Sequence, residues 1–360
     1  MDRDALLTPC LLVRLDRVRA NLRVLLQKAG GDRARLRPHL KTTKIPEVWA
    51  LFLDAGLRAF KAATTREAAV FLGLARERGE AADLLVALAH RGPALRRLAE
   101  LAAAYPDQRL AVLSEDPGHA GTARAAELGV FVDLDPGWGR SGIPFDQEER
   151  LRATVRAAGP AFRGLHAYEG HLRDPEPEAR ARKAAALYER LLAIAGALGD
   201  PPLVTSGTPA FEAALTWPGF AGREHQVSPG TVLFHDLTTE AFGVRGFRFA
   251  ATVLTTVVSA PAPAFRTADA GSKALDAASG HPCCAVAGRP GLEPGVPSEE
   301  HLPLRVLEGP APEPGTRLEL VPRHVCPTVN LHDEAVLMEG EEIRRIVPVA
   351  ARGHEIRARP

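Results

Sequence analysis

Lysine is nearly absent from this chain. Six stand in 360 residues (Lys28, Lys41, Lys44, Lys61, Lys183 and Lys273), and every other residue among the 45 basic ones is arginine. An amine can form an imine with a carbonyl compound and a guanidinium cannot, so a scarce lysine in a polar cluster is a chemical candidate. Cysteine is also sparse. Four residues, two of them the adjacent Cys283 and Cys284, do not make a disulfide framework and are read as partly buried thiols. The formal net charge is +1, which leaves no global field to recruit nucleic acid or an anionic membrane. Long apolar runs are missing: the most apolar late segment, Phe247 to Val258, is too short to span a bilayer and contains Arg248. Met1-Asp2-Arg3-Asp4 lacks the apolar core of a signal peptide, so the expected location is cytoplasmic. No Gly-x-Gly-x-x-Gly follows an early strand, which weakens a dinucleotide-binding reading.

What is present fits a globular protein of one large domain or two ordinary ones, with 46% hydrophobic and 25% charged residues. Between about residues 34 and 235, short β-like runs alternate with helical stretches. The runs are Arg35–Leu40, Arg58–Ala62, Leu84–Leu88, Leu110–Leu113, Val130–Leu134, Phe162–Ala167, Leu203–Thr205 and His225–Val227. The helical stretches are Arg66–Arg78, Leu95–Ala104, His119–Leu128, Glu148–Ala158 and Glu178–Leu198. Eight β/α repeats predict a parallel (β/α)8 barrel of the TIM type, with a doubly wound sheet as the alternative. Beyond Leu237 the helical period fades and β-branched runs appear between Pro/Gly loops that are read as ordered, predicting an all-β domain. The strand Cys10–Leu15 is placed with that domain. The expected boundaries are therefore 16–237 for the barrel and 1–15 plus 238–360 for the β domain.

Chemistry in a β/α barrel gathers at the carboxyl ends of its strands, and the polar motifs fall there. Arg37-Pro38-His39-Leu40-Lys41-Thr42-Thr43-Lys44 ends the first run. Asp135-Pro136-Gly137-Trp138-Gly139-Arg140-Ser141-Gly142 follows the fifth, and His166-Ala167-Tyr168-Glu169-Gly170-His171 closes the sixth. Ser206-Gly207-Thr208 and Gly230-Thr231 follow the last two, where backbone N–H groups and short hydroxyls can surround a phosphate. Taken alone, the Ser206–Thr208 hydroxyls could equally cap the helix that follows. A lysine plus a phosphate cradle suggests pyridoxal 5'-phosphate, with Lys41 as the amine that binds its carbonyl. Arg140 is a candidate for the ring's phenolic oxygen or a substrate carboxylate, or a structural ion pair. Tyr168 is placed beside the ring or in the core. His39 and His171 either orient Lys41 and the ring or are satisfied polar groups near the rim. In Arg323-His324-Val325-Cys326-Pro327, residues i and i+2 of a strand share a face, so His324 and Cys326 would converge. Imidazole plus thiolate suits Zn²⁺ and leaves coordination positions open, as a catalytic metal requires; Mn²⁺ and Mg²⁺ are alternatives.

These residues, in this order, resemble the D-serine dehydratase / D-threonine aldolase family. The resemblance rests on Thr8-Pro9 with Leu11–Leu15, on the Arg37–Lys44 cluster, and on Asp135…Gly137…Arg140-Ser141-Gly142. It rests also on Tyr168-Glu169-Gly170-His171, Asp269-Ala270-Gly271-Ser272-Lys273-Ala274-Leu275, Glu299-Glu300-His301 and Pro322–Thr328. It implies an alanine-racemase-like fold, usually a homodimer, with Lys41 as the Schiff-base lysine and His324 and Cys326 holding a divalent metal beside the substrate hydroxyl. Three features depart from the family. Thr43 stands where it often has histidine, Ser228 where alanine racemases have an arginine facing the ring nitrogen, and Thr231-Val232-Leu233-Phe234 lacks a common tyrosine.

The expected activity is a lyase acting on 3-hydroxy-D-amino acids, first of all D-serine dehydration to pyruvate and ammonia. Lys41, with Tyr168 and His171 nearby, would carry the proton chemistry, and the metal would help hydroxide leave. D-threonine aldolase, giving glycine and an aldehyde, is the alternative, followed by D-threo-3-hydroxyaspartate dehydratase. In the family His-x-Cys leans toward dehydratases and His-x-Asp toward aldolases. A racemase would need a second base, typically a tyrosine of the β domain, and the three tyrosines (Tyr105, Tyr168, Tyr188) all lie outside it. A pyridoxal-phosphate carrier would usually be a barrel alone.

Overall fold

The computed structural model describes residues 3–356. Strand β1 (Cys10–Arg14) opens the chain and lies in a second sheet described below. The first sheet pairs β2 (Ala59–Ala62), β3 (Asp83–Val86), β4 (Arg109–Ser114), β5 (Gly129–Asp135), β7 (Phe162–Ala167), β8 (Leu203–Thr205) and β9 (His225–Val227) in chain order, all parallel. A two-residue strand β6 (Ile143–Pro144) sits beside the end of β5. Helices α1 (Leu15–Lys28), α2 (Pro46–Asp54), α3 (Thr65–Glu77), α4 (Gly92–Ala104), α5 (Pro117–Ala125), α6 (Glu148–Ala158), α7 (Pro177–Gly196) and α8 (Phe211–Thr216) alternate with these strands. This is the parallel barrel that the alternating pattern predicts.

The first predicted strand, Arg35–Leu40, is not a regular strand. Two 3-10 turns, Arg33–Arg35 and Leu40–Thr42, flank residues 36–39. That short segment closes the barrel through two isolated parallel bridges, Leu36 to Val227 and His39 to Lys61. Arg37 N donates to Val227 O at 2.9 Å, His39 N to Pro229 O at 3.1 Å, and Lys61 N to Pro38 O at 3.0 Å. Pro38 has no N–H to give a ladder, so the segment bridges its neighbours without a continuous register.

Strand alternation sorts the barrel into an outer core and a filled lumen. On β5, Val130, Val132 and Leu134 face the helices and join the main core. Phe131 instead packs with Leu85, Ala111, Leu113 and Val204 in a separate apolar plug. Asp133, two residues further along the same face, belongs to a polar layer above the plug. Lys61 on β2 and His166 on β7 complete that layer.

The second sheet contains β10 (Ala251–Ala262), β11 (Phe265–Ala268), β12 (Cys284–Val286), β13 (Leu292–Pro294), β14 (Leu302–Val306), β15 (Arg317–Pro322), β16 (Glu334–Glu339) and β17 (Glu342–Pro348). Its pairings are antiparallel except that of β1 with β16. Two short helices, α9 (Leu237–Ala241) and α10 (Val325–Leu331), lie beside the barrel mouth, and α10 packs on the turn Leu40–Thr42. The predicted strand through His324 and Cys326 is therefore a helix start: His324 is its N-cap and Cys326 is in its first turn. Pro327 explains the difference, because the first helical turn tolerates a missing N–H and a sheet ladder does not. All four cysteines are free thiols. Among the described residues no helix is long and apolar enough to cross a membrane.

Candidate active site

A cleft of about 790 Å³ opens at the carboxyl ends of the barrel strands, between the barrel mouth and α10. Of the residues picked from sequence, Lys41, His39, Arg140, Tyr168, Gly207, Thr208, Gly230, Thr231, His324 and Cys326 line it. Ser206 and His171 do not. The Ser206 hydroxyl donates to Glu169 Oε1 at 2.5 Å and lies 3.1 Å from the Tyr188 hydroxyl, a buried knot behind the cleft wall. It caps no helix either, since α8 starts at Phe211 with Ala210 as its N-cap. His171 sits behind Trp138, at 6.4 Å between ring centroids, with its Nδ1 buried and without a partner among the described residues.

Lys41 sits in the 3-10 turn that follows the closing segment, with an exposed side chain reaching the cleft. The turn is fixed from both sides. His39 Nδ1 accepts from Lys41 N at 3.4 Å. Lys44, in the left-handed region at φ 52°, pairs with buried Glu67 at 2.6 Å. Thr43 is part of this scaffold: its hydroxyl accepts from the Trp49 indole at 2.8 Å inside the core. A group in that place points away from the cleft, which accounts for the departure at Thr43 without any role in chemistry.

Beside the lysine turn, two backbone N–H groups converge on one oxygen. Gly230 N and Thr231 N both donate to Thr208 Oγ1, at 3.3 and 3.2 Å. A Cβ on Gly230 would come within 2.8 Å of His39 O and 3.0 Å of Thr42 Oγ1, so only glycine lets this loop approach the lysine turn. Beside it the Ser228 hydroxyl is buried with no hydrogen-bond partner among the described residues. Convergent donors, a reachable amine and an orphaned hydroxyl fit a phosphorylated carbonyl cofactor with a polar ring atom.

Asp135 shapes the next wall. Its carboxylate accepts from Gly137 N, Trp138 N and Gly139 N at 3.0, 2.7 and 2.8 Å. The loop so wound stacks Arg140 over Trp138 at 3.9 Å and near Tyr168 at 5.1 Å. The Tyr168 ring fits where Gly170 and Gly207 have no side chain; a Cβ on either would fall 2.6 Å from it.

Sequence reading passed over the polar layer below. Lys61 Nζ donates to His166 Nε2 at 2.8 Å, and His166 Nδ1–H donates to Asp133 Oδ1 at 2.6 Å. All three residues are buried and line the cleft floor. Burial, then the charge of Lys41, brings the Lys61 amine down to about 7. Burial and the Lys61 charge also hold His166 below its usual range. A lysine at an inward position of a barrel strand, one residue after the outward Phe60, was the available signal.

Asp236 was also missed. It is fully buried, caps α9, and accepts from Val325 N and His324 Nδ1, both at 3.0 Å. This fixes the His324 ring with Nε2 free of Asp236, as the outer partners of metal ligands do. Burial opposes charge on both His324 and Cys326. The hydrogen bonds and charges of Asp236 and Cys326 nonetheless lift His324 to about 10, and His324 draws the Cys326 thiol down. Thr42 Oγ1 lies 3.1 Å from Cys326 Sγ. A thiolate and an imidazole fit a borderline-soft divalent ion. Among the described residues no group of three or more His, Cys, Asp or Glu side chains is arranged to hold one, so the chain offers two donors.

Known proteins carry the same architecture. Residues 13–237 match the family model "Alanine racemase, N-terminal domain" and residues 250–338 match "Putative serine dehydratase domain". A D-threonine aldolase from Arthrobacter sp. is 32% identical, over 96% of this chain and 93% of its own. The chain belongs to this alanine-racemase-like pyridoxal-phosphate family. A second member, the D-threo-3-hydroxyaspartate dehydratase of Delftia sp., is 29% identical over 91% of this chain and 93% of its own. The crystal structure of D-threonine aldolase from Filomicrobium marinum superposes with a TM-score of 0.85 at 29% identity, covering 97% of both chains. These relatives, a D-threonine aldolase and a D-threo-3-hydroxyaspartate dehydratase, are lyases.

Proposed function

We propose that the protein is a metal-assisted aldolase that cleaves 3-hydroxy-D-amino acids of the D-threonine type to glycine and an aldehyde. The observation that carries this reading is one cleft that joins an amine, an anion cradle and a His–Cys donor pair on the shared wall of two domains. Full-length similarity to a D-threonine aldolase supports it over the D-serine dehydration expected from sequence.

Lys41 would anchor the cofactor carbonyl, Gly230, Thr231 and Thr208 its phosphate, and Ser228 would meet the ring nitrogen as a neutral hydroxyl. When bound, pyridoxal phosphate supplies an electron sink for the pair left on Cα as the Cα–Cβ bond breaks. Arg140, held over Trp138 and Tyr168, is placed to take the substrate carboxylate. Tyr168 closes the cleft wall and excludes water from the reacting carbon. His324 and Cys326 would hold a divalent ion, zinc by donor chemistry, whose charge would polarise the 3-hydroxyl. The group that takes its proton is considered below. We further infer a cytoplasmic homodimer, in keeping with the resemblance and the missing apolar segments.

Cys326 favours a second reading, loss of water from the same substrates, because a cysteine donor is the family feature that leans toward dehydratases. Incubation with D-threonine and D-serine separates the two. Glycine plus acetaldehyde from D-threonine supports the aldolase; 2-oxo acid plus ammonia supports the dehydratase and overturns it. Chelation should lower kcat by about 10²-fold or more, with recovery on adding Zn²⁺ or Mn²⁺. Chelator-insensitive turnover would remove the metal from the reading.

A further inference from the structure

Four of the six lysines pair with carboxylates: Lys28 with Glu212, Lys44 with Glu67, Lys183 with Asp174, and Lys273 with Glu299 and Glu300. No carboxylate lies within ion-pair distance of Lys41 or Lys61 among the described residues. Lys41 has its role as the cofactor anchor. Lys61 has none so far, although burying an unpaired amine under a reaction site is unfavourable unless the amine is used.

Its surroundings define the use. The apolar plug of Leu85, Ala111, Leu113, Phe131 and Val204 fills the lumen in the layer below. Above, the amine lies 5.6 Å from the centre of the Tyr168 ring and opens on the cleft. The His166 tautomer is set by Asp133, which takes the Nδ1 proton, so Nε2 must accept from Lys61. Ser141 donates to the other Asp133 oxygen at 3.1 Å and holds that carboxylate in place. One N–H of Lys61 is thus directed at His166, and the rest of the amine is left to the cleft. The charges acting on it are Lys41 and Arg37, which disfavour its protonation, and Asp133 and Glu169, which favour it. His39, bridged to Lys61 through the backbone, is buried and held well below its usual range by burial and by both lysines, so it adds no charge near neutrality.

We propose that Lys61 is the proton-carrying base of the cleft, distinct from the anchoring Lys41, with Asp133 and His166 as positioning residues that orient its amine. The inference rests on the lyase reading above and names the group that serves its proton step. In aldol cleavage the 3-hydroxyl gives up a proton as its oxygen becomes the aldehyde oxygen. The Cα–Cβ electron pair stays with Cα, and one proton must be added there to release glycine. Lys61 starts as the free amine, accepts the first proton to become an ammonium, and returns it to Cα. Protons and electrons balance with no further reactant.

The experiment uses the holoenzyme of the wild type, Lys61→Met and Lys61→Arg, with D-threonine as substrate. The wild type should show an acid limb in kcat with an apparent pKa near 7. Both variants should lose about 10²-fold or more in kcat, with KM changed less than about threefold and the limb gone. Arginine keeps a cation and hydrogen-bond donors but cannot give up its proton, so a merely structural role would survive in Lys61→Arg. Borohydride reduction followed by peptide mass mapping should find the cofactor on Lys41 in all three proteins, showing that the variants fold and load. Cofactor trapped on Lys61, a variant within threefold of wild-type kcat, or persistence of the limb in Lys61→Met would overturn the proposal. If the wild type cleaves no 3-hydroxy-D-amino acid, the functional reading fails separately. Lysine 13C NMR then still decides: a resonance titrating near 7 and absent from Lys61→Met supports the base, and its absence from the wild type overturns it.

Discussion

Among the described residues, two basic side chains, Arg37 and Lys61, are buried inside the barrel, one toward each end, and they are held in opposite ways. Arg37 is 3% exposed and meets Asp83 Oδ1 at 2.8 Å, Gln226 Oε1 at 2.7 Å and the carbonyls of Asp83 and Phe60. Lys61 is 5% exposed and meets one imidazole. Arg37 lines a cavity of about 850 Å³ at the amino ends of the strands, slightly larger than the cleft at their carboxyl ends. In the larger cavity Arg58 pairs with Glu80 and Arg33 donates to Ala55 O. In the smaller one, among the described residues, the buried Lys61 amine has no carboxylate within ion-pair distance and the buried Ser228 hydroxyl has no partner. Native chains satisfy most buried polar groups, and an unmet one in a cleft is a candidate for use. Cavity size does not distinguish the two ends of this barrel; a buried amine without a carboxylate and a buried hydroxyl without a partner do.

The largest expected effect tests the reactive end directly. Lys41→Ala should lower kcat for D-threonine cleavage by about 10⁴-fold or more, and borohydride should no longer fix the cofactor to that peptide. The exposed Lys41 side chain makes no ion pair among the described residues, so the variant should keep its circular dichroism and urea midpoint. Activity within tenfold of wild type would mean that the cleft does not use this amine as its anchor, and the contrast between the two ends would lose its main support.

Much of this was legible from the chain. The β/α alternation marks the barrel because outward positions such as Val130, Val132 and Leu134 must be apolar under the helices, whatever the reaction. The polar motifs after the strands mark the cleft because loops carry them. Inward positions were less legible: Asp133, His166 and Lys61 each occupy one position in a short strand, and only closure of the barrel brings residues 33 to 105 positions apart into one layer. Asp236 was hidden for a similar reason, since it reads as the cap of a five-residue helix until α10 places His324 against it. The misjudged strand at His324 shows that a same-face argument depends on the element being right. The pair does meet, through a helix start in place of a strand. Ser206 and His171 failed because a residue type at a strand end says nothing about which way its side chain turns.

The contrast between the two buried cations also predicts a difference in stability. The Lys61 amine is held near 7 in the folded protein and has its ordinary value of 10.5 when unfolded. Between those values the unfolded chain binds a proton that the folded chain does not, so stability falls as pH drops from about 10 toward 7 and levels off below. A displacement of about three and a half units corresponds to roughly 5 kcal/mol, of which about 4 kcal/mol is present at pH 7. Lys61→Met removes that penalty but leaves His166 Nε2 without its donor, at a cost of about 1–3 kcal/mol. The variant should therefore be more stable than wild type at pH 7 by about 1–3 kcal/mol and no more stable than wild type at pH 10, as read from urea midpoints at the two pH values. A variant less stable at pH 7 than at pH 10, relative to wild type, would show that Lys61 is held as a paired cation, like Arg37.

The smallest expected effect lies at the other mouth of the barrel. Arg109 lines the larger cavity with an exposed side chain. Its strand is held by β3 and β5 through the backbone, with Asp83 opposite Arg109 in the β3 ladder. Arg109→Gln removes one charge from a wet cavity wall and leaves the part-buried Arg37–Asp83 pair in place. Stability should change by no more than about 0.5 kcal/mol, and kcat and KM for D-threonine should stay within twofold of wild type, because the apolar plug separates this mouth from the cleft. Charges screened by water at one end have little leverage on groups buried at the other. A change in kcat of tenfold or more would mean that the amino-terminal cavity is coupled to the chemistry, and that unmet hydrogen bonding at the carboxyl ends is not enough to locate the function of this barrel.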